Sequence, residues 1–94
     1  MEISFQKKVV KRLKEIKKTQ PRLSVKIKKQ LKLFKNNPRH PSLRTHKLGG
    51  VLSNTRSISM DRNIRMTYCI KVEADGEKTA IFLDIGTHDE VYKK

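Results

Sequence analysis

The sequence predicts an α+β fold in which an N-terminal strand and a two-helix antiparallel hairpin precede an antiparallel sheet packed on the helices. Two patterns predict it. In the first part of the chain, apolar residues recur at three- and four-residue spacing, which is typical of amphipathic helices. In the second part, apolar and polar residues alternate, which is typical of strands with one buried face. Because 94 residues suffice for one modest core, we expect a single domain spanning 1–94.

The first half of the chain predicts one strand and two helices. Residues 1–5 alternate between apolar and polar side chains, which indicates a short strand. The helical period begins after Gln6 and predicts helices over about 7–18 and 21–36. Their apolar stripes are expected to face the sheet, while their outer faces carry lysine and arginine.

Turn signals bound these two helices. Proline is well tolerated in the first turn of a helix, so Pro21 is expected to begin the second helix, with Thr19 or Gln20 as its cap. The sequence Asn36-Asn37-Pro38 is expected to end it. Residues 38–50 contain two prolines and two glycines without a sustained period, which predicts a loop.

Beyond this loop, which Leu43 and Leu48 are expected to anchor to the core, the sequence predicts an antiparallel meander of three to four strands. Alternation is clearest over 64–72, follows a shorter strand at Ile58 and Met60, and recurs over 79–85. Between the last two strands, an Asp-Gly pair is a strong hairpin signal.

The excess positive charge lies entirely in the first half of the chain. Residues 1–50 carry sixteen Lys and Arg against Glu2 and Glu15, whereas residues 51–94 carry seven residues of each sign. Ordinary solvated helix faces mix signs, so this imbalance favours an anionic partner over mere solubility. That partner is either nucleic acid, held through its phosphates, or an acidic protein.

Other features exclude several classes of protein. No signal peptide is apparent, and no apolar stretch approaches the roughly 20 residues of a membrane-spanning helix. We therefore expect a cytoplasmic protein without a membrane partner. The single cysteine, Cys69, cannot form an internal disulfide and has no second thiol for a zinc site, so no metal site is expected.

Three phrases of the sequence carry a family resemblance. They are His40-Pro41-Ser42-Leu43-Arg44-Thr45-His46-Lys47-Leu48, Arg62-Asn63-Ile64-Arg65-Met66-Thr67-Tyr68 and Gly86-Thr87-His88-Asp89-Glu90-Val91-Tyr92. With this order of elements, the chain resembles the RelE/ParE superfamily of toxins from type II toxin–antitoxin pairs, and within it the YafQ-like branch. The resemblance spans nearly the whole chain.

The resemblance implies a small endoribonuclease that cuts messenger RNA, usually on the ribosome, without a metal or other cofactor. In that reaction the 2′-OH attacks the adjacent phosphorus and expels the 5′-oxygen. The protein supplies a base for the 2′-OH, cations for the phosphate oxygens and an acid for the leaving oxygen. The resemblance also implies a cognate antitoxin that is acidic in the segment wrapping the toxin.

Four residues are predicted to carry this chemistry. His88 matches the C-terminal histidine of the family and is the first acid/base candidate, because an imidazole can both accept and donate a proton. His46 is the second. Arg65 resembles the arginine that the family places against the scissile phosphate. Tyr92 falls where the family carries an aromatic residue that stacks on a base or assists proton transfer.

Each of these residues also has a structural interpretation. His88 could bond a backbone carbonyl while half-buried, Arg65 could be a solvated strand residue, and Tyr92 could pack over the edge of the sheet. His40 is expected to have a structural role in its loop, and Tyr68 shares the buried phase of its strand.

Twelve further basic residues are candidates for binding nucleic acid through phosphate contacts. They are Lys7, Lys11, Arg12, Lys14, Lys18, Lys28, Lys29, Lys32, Arg44, Lys47, Arg56 and Arg62.

The chain departs from the YafQ-like pattern at three positions. Ser59 and Asn63 stand where the pattern has a histidine and an aspartate, and Asp84 replaces an arginine of the last strand. Three alternatives follow: Asp61 or Arg56 substitutes for a lost group, the site is weak or inactive, or the chain is a ParE-like toxin that binds a protein target such as a gyrase. A plain nucleic-acid-binding module would explain the charge but not the C-terminal phrase.

Overall fold

The computed structural model describes residues 1–48 and 54–92 and has the α+β fold that the sequence predicts. Its elements, in chain order, are β1 (Glu2–Phe5), α1 (Lys7–Thr19), α2 (Pro21–Asn36), a 3₁₀ turn (Pro41–Leu43), β2 (His46–Lys47), β3 (Thr55–Ser59), β4 (Ile64–Val72), β5 (Lys78–Thr87) and α3 (His88–Tyr92). Among the described residues, no helix is both long and apolar enough to cross a membrane.

The five strands form one mixed sheet in the order β1-β5-β4-β3-β2. Strands β2 to β5 are a four-stranded antiparallel meander, which confirms the predicted arrangement. Strand β1 pairs in parallel with β5, at the far edge of the meander. The alternation of residues 1–5 predicts a strand but carries no information about its partner, because pairing is decided by contacts distant in sequence.

The hairpin of α1 and α2 buries its apolar stripe against one face of the sheet. Val9 and Ile16 of α1 are buried, as are Leu23, Ile27 and Phe34 of α2. The rings of Phe34, Tyr68 and Phe82 lie 5.0 to 5.6 Å apart between centroids. Tyr68 is therefore a core residue, as its phase predicts.

The break between the two helices depends on Pro21 and the backbone. Gln20 is the N-cap residue of α2, as one of the two predicted candidates, and its carbonyl accepts the backbone N–H of Ser24 at 3.0 Å, although its side chain makes no capping hydrogen bond. Its own backbone N–H donates to the carbonyl of Ile16 at 2.7 Å and ends α1. Thr19, the other candidate, does not cap α2, because its hydroxyl donates to the carbonyl of Glu15 at 2.9 Å.

The predicted loop at 38–50 contains more structure than its composition suggests. It holds the 3₁₀ turn and β2, and its last two residues, Gly49 and Gly50, lie outside the described residues. Leu43 and Leu48 are buried, as predicted. The imidazole Nδ1 of His40 accepts the backbone N–H of Ser42 at 3.1 Å, so His40 has the structural role expected of it.

The last strand is longer than predicted and is followed by the short helix α3. Strand β5 covers Lys78–Thr87 rather than 79–85, and α3 lies on the sheet face opposite the hairpin, where Val91 is buried. A capping box begins α3: the N–H of Glu90 donates to Thr87 Oγ1 at 3.3 Å, and the N–H of Thr87 donates to Glu90 Oε1 at 2.8 Å. Gly86 permits this arrangement, because a Cβ there would lie 3.0 Å from Glu90 Oε1.

Candidate catalytic site

The four residues predicted to carry the chemistry line one open cavity of about 330 Å³. The cavity lies on the sheet face opposite the helical hairpin, because Arg65 alternates with the buried Met66 and His46 is the register partner of Ser57. Its lining residues are Arg44, Thr45, His46, Arg65, His88 and Tyr92. Distant parts of the chain, β2, β4 and α3, thus bring these side chains together.

Three hydrogen bonds hold the guanidinium of Arg65 across β3. Its Nε donates to the hydroxyl of Ser57 at 3.0 Å, and its Nη2 donates to the carbonyls of Arg44 at 2.6 Å and Ser57 at 3.3 Å. Arg44 has a left-handed backbone, with φ of 46°. Because Nε and Nη2 both donate these hydrogen bonds, the planar guanidinium is fixed at the cavity wall. Arg65 is therefore a positioned arginine and not a freely solvated one.

Ser57 is a member of the site that the sequence did not reveal. It is fully buried, and its hydroxyl both accepts from Arg65 Nε and lies 2.5 Å from the hydroxyl of Tyr92. The predicted alternation at Ile58 and Met60, extended back by one residue, places Ser57 on the open face of the sheet. Its contacts with Arg65 and Tyr92 depend on strand register and on the docking of α3, which the alternation does not give.

Two imidazoles lie around the Tyr92 ring. The His88 ring is 4.1 Å from it between centroids, in an edge-to-face arrangement at 80°. The His46 ring is 6.0 Å away at 45°. The side chain of His88 is 69% exposed and its Nδ1 lies 3.7 Å from Asp89 Oδ1, so it is not the half-buried partner of a backbone carbonyl. The ring of Tyr92 therefore lies near both imidazoles, while its hydroxyl contacts the hydroxyl of Ser57.

A second cavity of about 400 Å³ adjoins the first and shares Arg65 and His88 with it. Arg62, Asn63, Thr87 and Asp89 complete its lining. Asn63, one of the departures from the family pattern, therefore lies beside the predicted site. The adjoining cavities give a substrate room on both sides of His88 and Arg65.

The residues considered as substitutes for lost groups lie elsewhere. Asp61 pairs with Lys26 of α2 at 3.7 Å, and Arg56 is the register partner of the buried Tyr68 on the helix-covered face. Burial raises the pKa of Tyr68, and the charge of Arg56 opposes that rise.

Two of the departures from the family pattern also lie away from the first cavity. Asp84 lies 3.5 Å from Lys8 of α1. Ser59 donates its hydroxyl to the carbonyl of Asp61. None of these groups lines the first cavity.

The twelve further basic residues are all exposed, but they fall into three groups. Arg44 and Arg62 line the two cavities. Lys47 and Arg56 are a register pair of β2 and β3 on the helix-covered face of the sheet. The other eight lie on the helical hairpin, and none of them lines either cavity. Arg12 pairs with Glu15 at 3.4 Å. The basic side chains of α1 and α2 thus form a surface separate from the two cavities.

Hydrogen bonds to α3 perturb one carboxyl group near the site. The backbone N–H of Thr87, and then its hydroxyl, hold the pKa of Glu90 below its usual range; the charge of Arg12 lowers it further, and slight burial opposes these effects. Glu90 therefore stays ionised and keeps the capping box closed to lower pH than an ordinary glutamate would.

The fold is that of solved structures of YoeB/ParE and YafQ toxins. The chain superposes on the YoeB/ParE toxin from Agrobacterium tumefaciens with a TM-score of 0.77 at 16% identity, covering 94% of this chain and 99% of that one. It superposes on YafQ from E. coli with a TM-score of 0.71 at 19% identity, covering 97% of each chain. These matches confirm the fold expected from the resemblance.

A third solved structure is that of a complex. The heterotetrameric YoeB–YefM toxin–antitoxin complex from Staphylococcus aureus matches with a TM-score of 0.72 at 18% identity, covering 94% of this chain and 97% of that one. No protein-family model and no curated protein matches the sequence, so the likeness rests on the fold.

Proposed function

We propose that the chain is the toxin of a type II toxin–antitoxin pair and cleaves messenger RNA on the ribosome, and hence acts in the cytoplasm. The observation that carries this proposal is the convergence of His46, Arg65, His88 and Tyr92 on one cavity. Two imidazoles can supply the base and the acid that cleavage by an internal 2′-OH needs, and a fixed guanidinium can supply the cation. The superposed YoeB and YafQ toxins support the assignment through their fold.

The scissile phosphate is assigned to Arg65. Its Nε and Nη2 are bound to Ser57 and Arg44, which leaves the Nη1 edge to meet the phosphate oxygens from the cavity. A cation held in place before the substrate arrives stabilises the charge that develops on the phosphorane without reorganising. The neighbouring side chains of Arg44 and Arg62 add further positive charge at the rim.

The two histidines are assigned the proton transfers. One accepts the proton of the 2′-OH as the bond between O2′ and phosphorus forms, and the other donates a proton to O5′ as its bond to phosphorus breaks. We assign the donor role to His88 and the acceptor role to His46. The products are a 2′,3′-cyclic phosphate and a free 5′-hydroxyl. Each positioned proton transfer contributes roughly 10²- to 10⁴-fold to the rate.

Tyr92 is assigned to the nucleotide next to the cleaved bond. Its ring already contacts His88 and is held through its hydroxyl by Ser57, so its remaining surface is a fixed platform. Stacking of a splayed base on an aromatic ring is a common mode of RNA recognition. Such a contact would orient the ribose, and with it the 2′-OH, toward the histidines.

An acidic antitoxin is the proposed protein partner. The superposed YoeB from S. aureus is in complex with YefM, its antitoxin. In this chain, an apolar groove of about 300 Å³ lies between α1 and α2 and is rimmed by Lys14, Lys17 and Lys28. Apolar side chains ringed by lysines fit an amphipathic acidic segment. The hairpin charge therefore has two proposed partners, the antitoxin and the RNA of the ribosome.

The proposal is tested with purified protein and translating ribosomes. We expect cleavage of the messenger RNA with a 2′,3′-cyclic phosphate, or its hydrolysis product, at the new end. A single 2′-deoxy substitution at the cleaved nucleotide should abolish cutting at that position, since it removes the nucleophile. Growth arrest on expression without any RNA cleavage would contradict the proposal and favour the ParE-like alternative with a protein target.

A further inference from the structure

A third cavity, of about 650 Å³, lies at the end of the sheet that the hairpin leaves uncovered. Its floor is the apolar row of β4 formed by Tyr68, Ile70 and Val72. Tyr68 is 3% exposed beneath the hairpin, whereas Val72 is 63% exposed. The exposure rises along the row because α2 ends at Asn36 and the chain turns away. We call this cavity the terminal groove.

Cations flank this apolar floor on several sides. Arg56 is the register partner of Tyr68 and Lys78 is that of Val72, so each end of the row has a basic neighbour. Arg39 and Arg44 contribute from the loop that forms one wall. None of the described residues that line the cavity is Asp or Glu. Exposed apolar side chains among cations suit a ligand that has both flat apolar surfaces and negative charge.

The terminal groove and the candidate catalytic cavity lie on opposite faces of the sheet and meet at one edge of it. Arg44 and Thr45 line both of them, where the loop enters β2. A strand of RNA that leaves the catalytic cavity beside Arg44 would therefore reach the groove by passing round this edge. The two shared residues distinguish the groove from the apolar groove between α1 and α2, which shares no lining residue with the catalytic cavity.

We propose that the terminal groove binds nucleotides of single-stranded RNA that flank the cleaved bond. The inference rests on the proposed function and extends it to a second binding site. In the groove, bases would lie on the floor formed by Ile70 and Val72, and phosphates would meet Arg39 and Lys78. Stacking surfaces bordered by cations are the general means of binding single strands without strict sequence preference. RNA is favoured over an acidic peptide because the connection through Arg44 makes one polymer able to occupy both sites.

The test compares one charge reversal on β5 with one on β4, at positions whose side chains lie on opposite faces of the sheet. Lys78→Glu reverses a charge in the groove. Lys71→Glu makes the same change one residue before Val72, where strand alternation directs the side chain to the other face. Binding is measured by fluorescence anisotropy with 2′-O-methyl oligonucleotides, which cannot be cleaved, of about 4 and about 12 nucleotides, lengths that span single-strand site sizes.

We expect Lys78→Glu to weaken binding of the longer oligonucleotide about tenfold and to lower its log–log salt slope by about 0.7, the value of one single-strand phosphate contact. Binding of the shorter oligonucleotide and the effect of Lys71→Glu should both stay near the wild-type value. A second variant, Val72→Ser, should weaken the longer oligonucleotide without changing the salt slope, because it removes apolar surface but no charge. Val72 is exposed enough for this variant to keep the fold.

The outcomes separate the groove from the catalytic proposal. Equal effects of Lys78→Glu and Lys71→Glu, or no effect of either, would overturn the groove assignment while leaving messenger RNA cleavage by the wild type intact. Loss of affinity for an acidic peptide, with RNA binding unchanged, would overturn it in favour of a protein partner. Failure of the wild type both to bind and to cleave RNA would remove the groove and the proposed function together.

Discussion

The hydroxyl of Tyr92 lies 2.5 Å from the hydroxyl of Ser57, and that same Ser57 hydroxyl accepts a hydrogen bond from Arg65 Nε at 3.0 Å. One buried serine on β3 thereby fixes an aromatic ring from α3 and a guanidinium from β4. Tyr92 is 35 residues from Ser57 in sequence, and Arg65 is eight residues away, on the next strand. The candidate site is therefore held together by a residue that need not touch the substrate.

Ser57→Ala should lower cleavage without unfolding the protein. We expect kcat to fall about 10- to 100-fold with little change in KM, because Arg65 and Tyr92 lose their common anchor and reacting groups are sensitive to small displacements. The free energy of unfolding should fall by about 1 kcal/mol, as for one lost hydrogen bond. Ser57→Thr, which keeps the hydroxyl, should restore most of kcat. Ser59→Ala is the matched control on the same strand and should leave kcat unchanged. An unchanged kcat in Ser57→Ala would contradict the positioning role of Ser57.

His88→Ala should abolish or greatly reduce RNA cleavage on translating ribosomes. Removing a positioned proton donor costs roughly 10²-fold or more in rate. The side chain is 69% exposed, so we expect the melting temperature and the antitoxin affinity to stay near those of the parent. An unfolded variant would show that His88 has a structural role. A folded variant that still arrests growth fully would favour a protein target over RNA.

Arg65→Lys should not behave as a conservative change. Lysine keeps the charge but cannot reproduce three directed hydrogen bonds to Ser57 and Arg44 while also facing a phosphate. We expect growth arrest on expression to weaken strongly, with circular dichroism and the melting temperature close to those of the wild type. Full toxicity in Arg65→Ala would exclude Arg65 from the site.

Charge reversal on the hairpin should separate the two proposed anionic partners. Lys11, Lys14 and Lys18 are exposed on α1 and lie outside both catalytic cavities. If they contact ribosomal RNA, replacing all three by Glu should lower the log–log salt slope of ribosome binding by about 0.9 per lost duplex phosphate. If they contact the antitoxin instead, the triple variant should bind antitoxin more weakly and still cleave. A salt-independent association of the wild type with ribosomes would contradict the first outcome.

Acidification should open the capping box at α3. Hydrogen bonds from Thr87 lower the pKa of Glu90, so the folded state binds this proton less readily than the unfolded state does. The stabilisation is therefore complete above the ordinary glutamate range and is lost as pH falls through the lowered pKa. In an NMR titration the amide proton of Thr87 should shift with that lowered pKa, and Glu90→Gln should remove the shift. A Thr87 amide insensitive to pH in the wild type would contradict this account.

The periodic parts of the fold could be predicted from the sequence. The spacing of Val9, Ile16 and Ile27 predicts the helical hairpin, and the alternation over 64–72 predicts β4 and the core position of Tyr68. These features depend on the local geometry of 3.6 and 2.0 residues per repeat, so neighbouring residues suffice to reveal them. The capping box of Thr87 and Glu90 was also present as a local sequence signal, although the prediction ended β5 before it.

By itself, then, the sequence determined the two helices, the meander, the imbalance of charge and the residue types available for chemistry. Tertiary structure decided the parallel pairing of β1 with β5, the formation of β2 and the meeting of His46, Arg65, His88 and Tyr92 around Ser57. The physical reason is that these contacts join residues distant in sequence: His46 and Tyr92 are 46 positions apart, and Glu2 and its partner Thr79 are 77 apart. Strand register and the docking of α3 select such contacts, and no local period in the chain encodes either one.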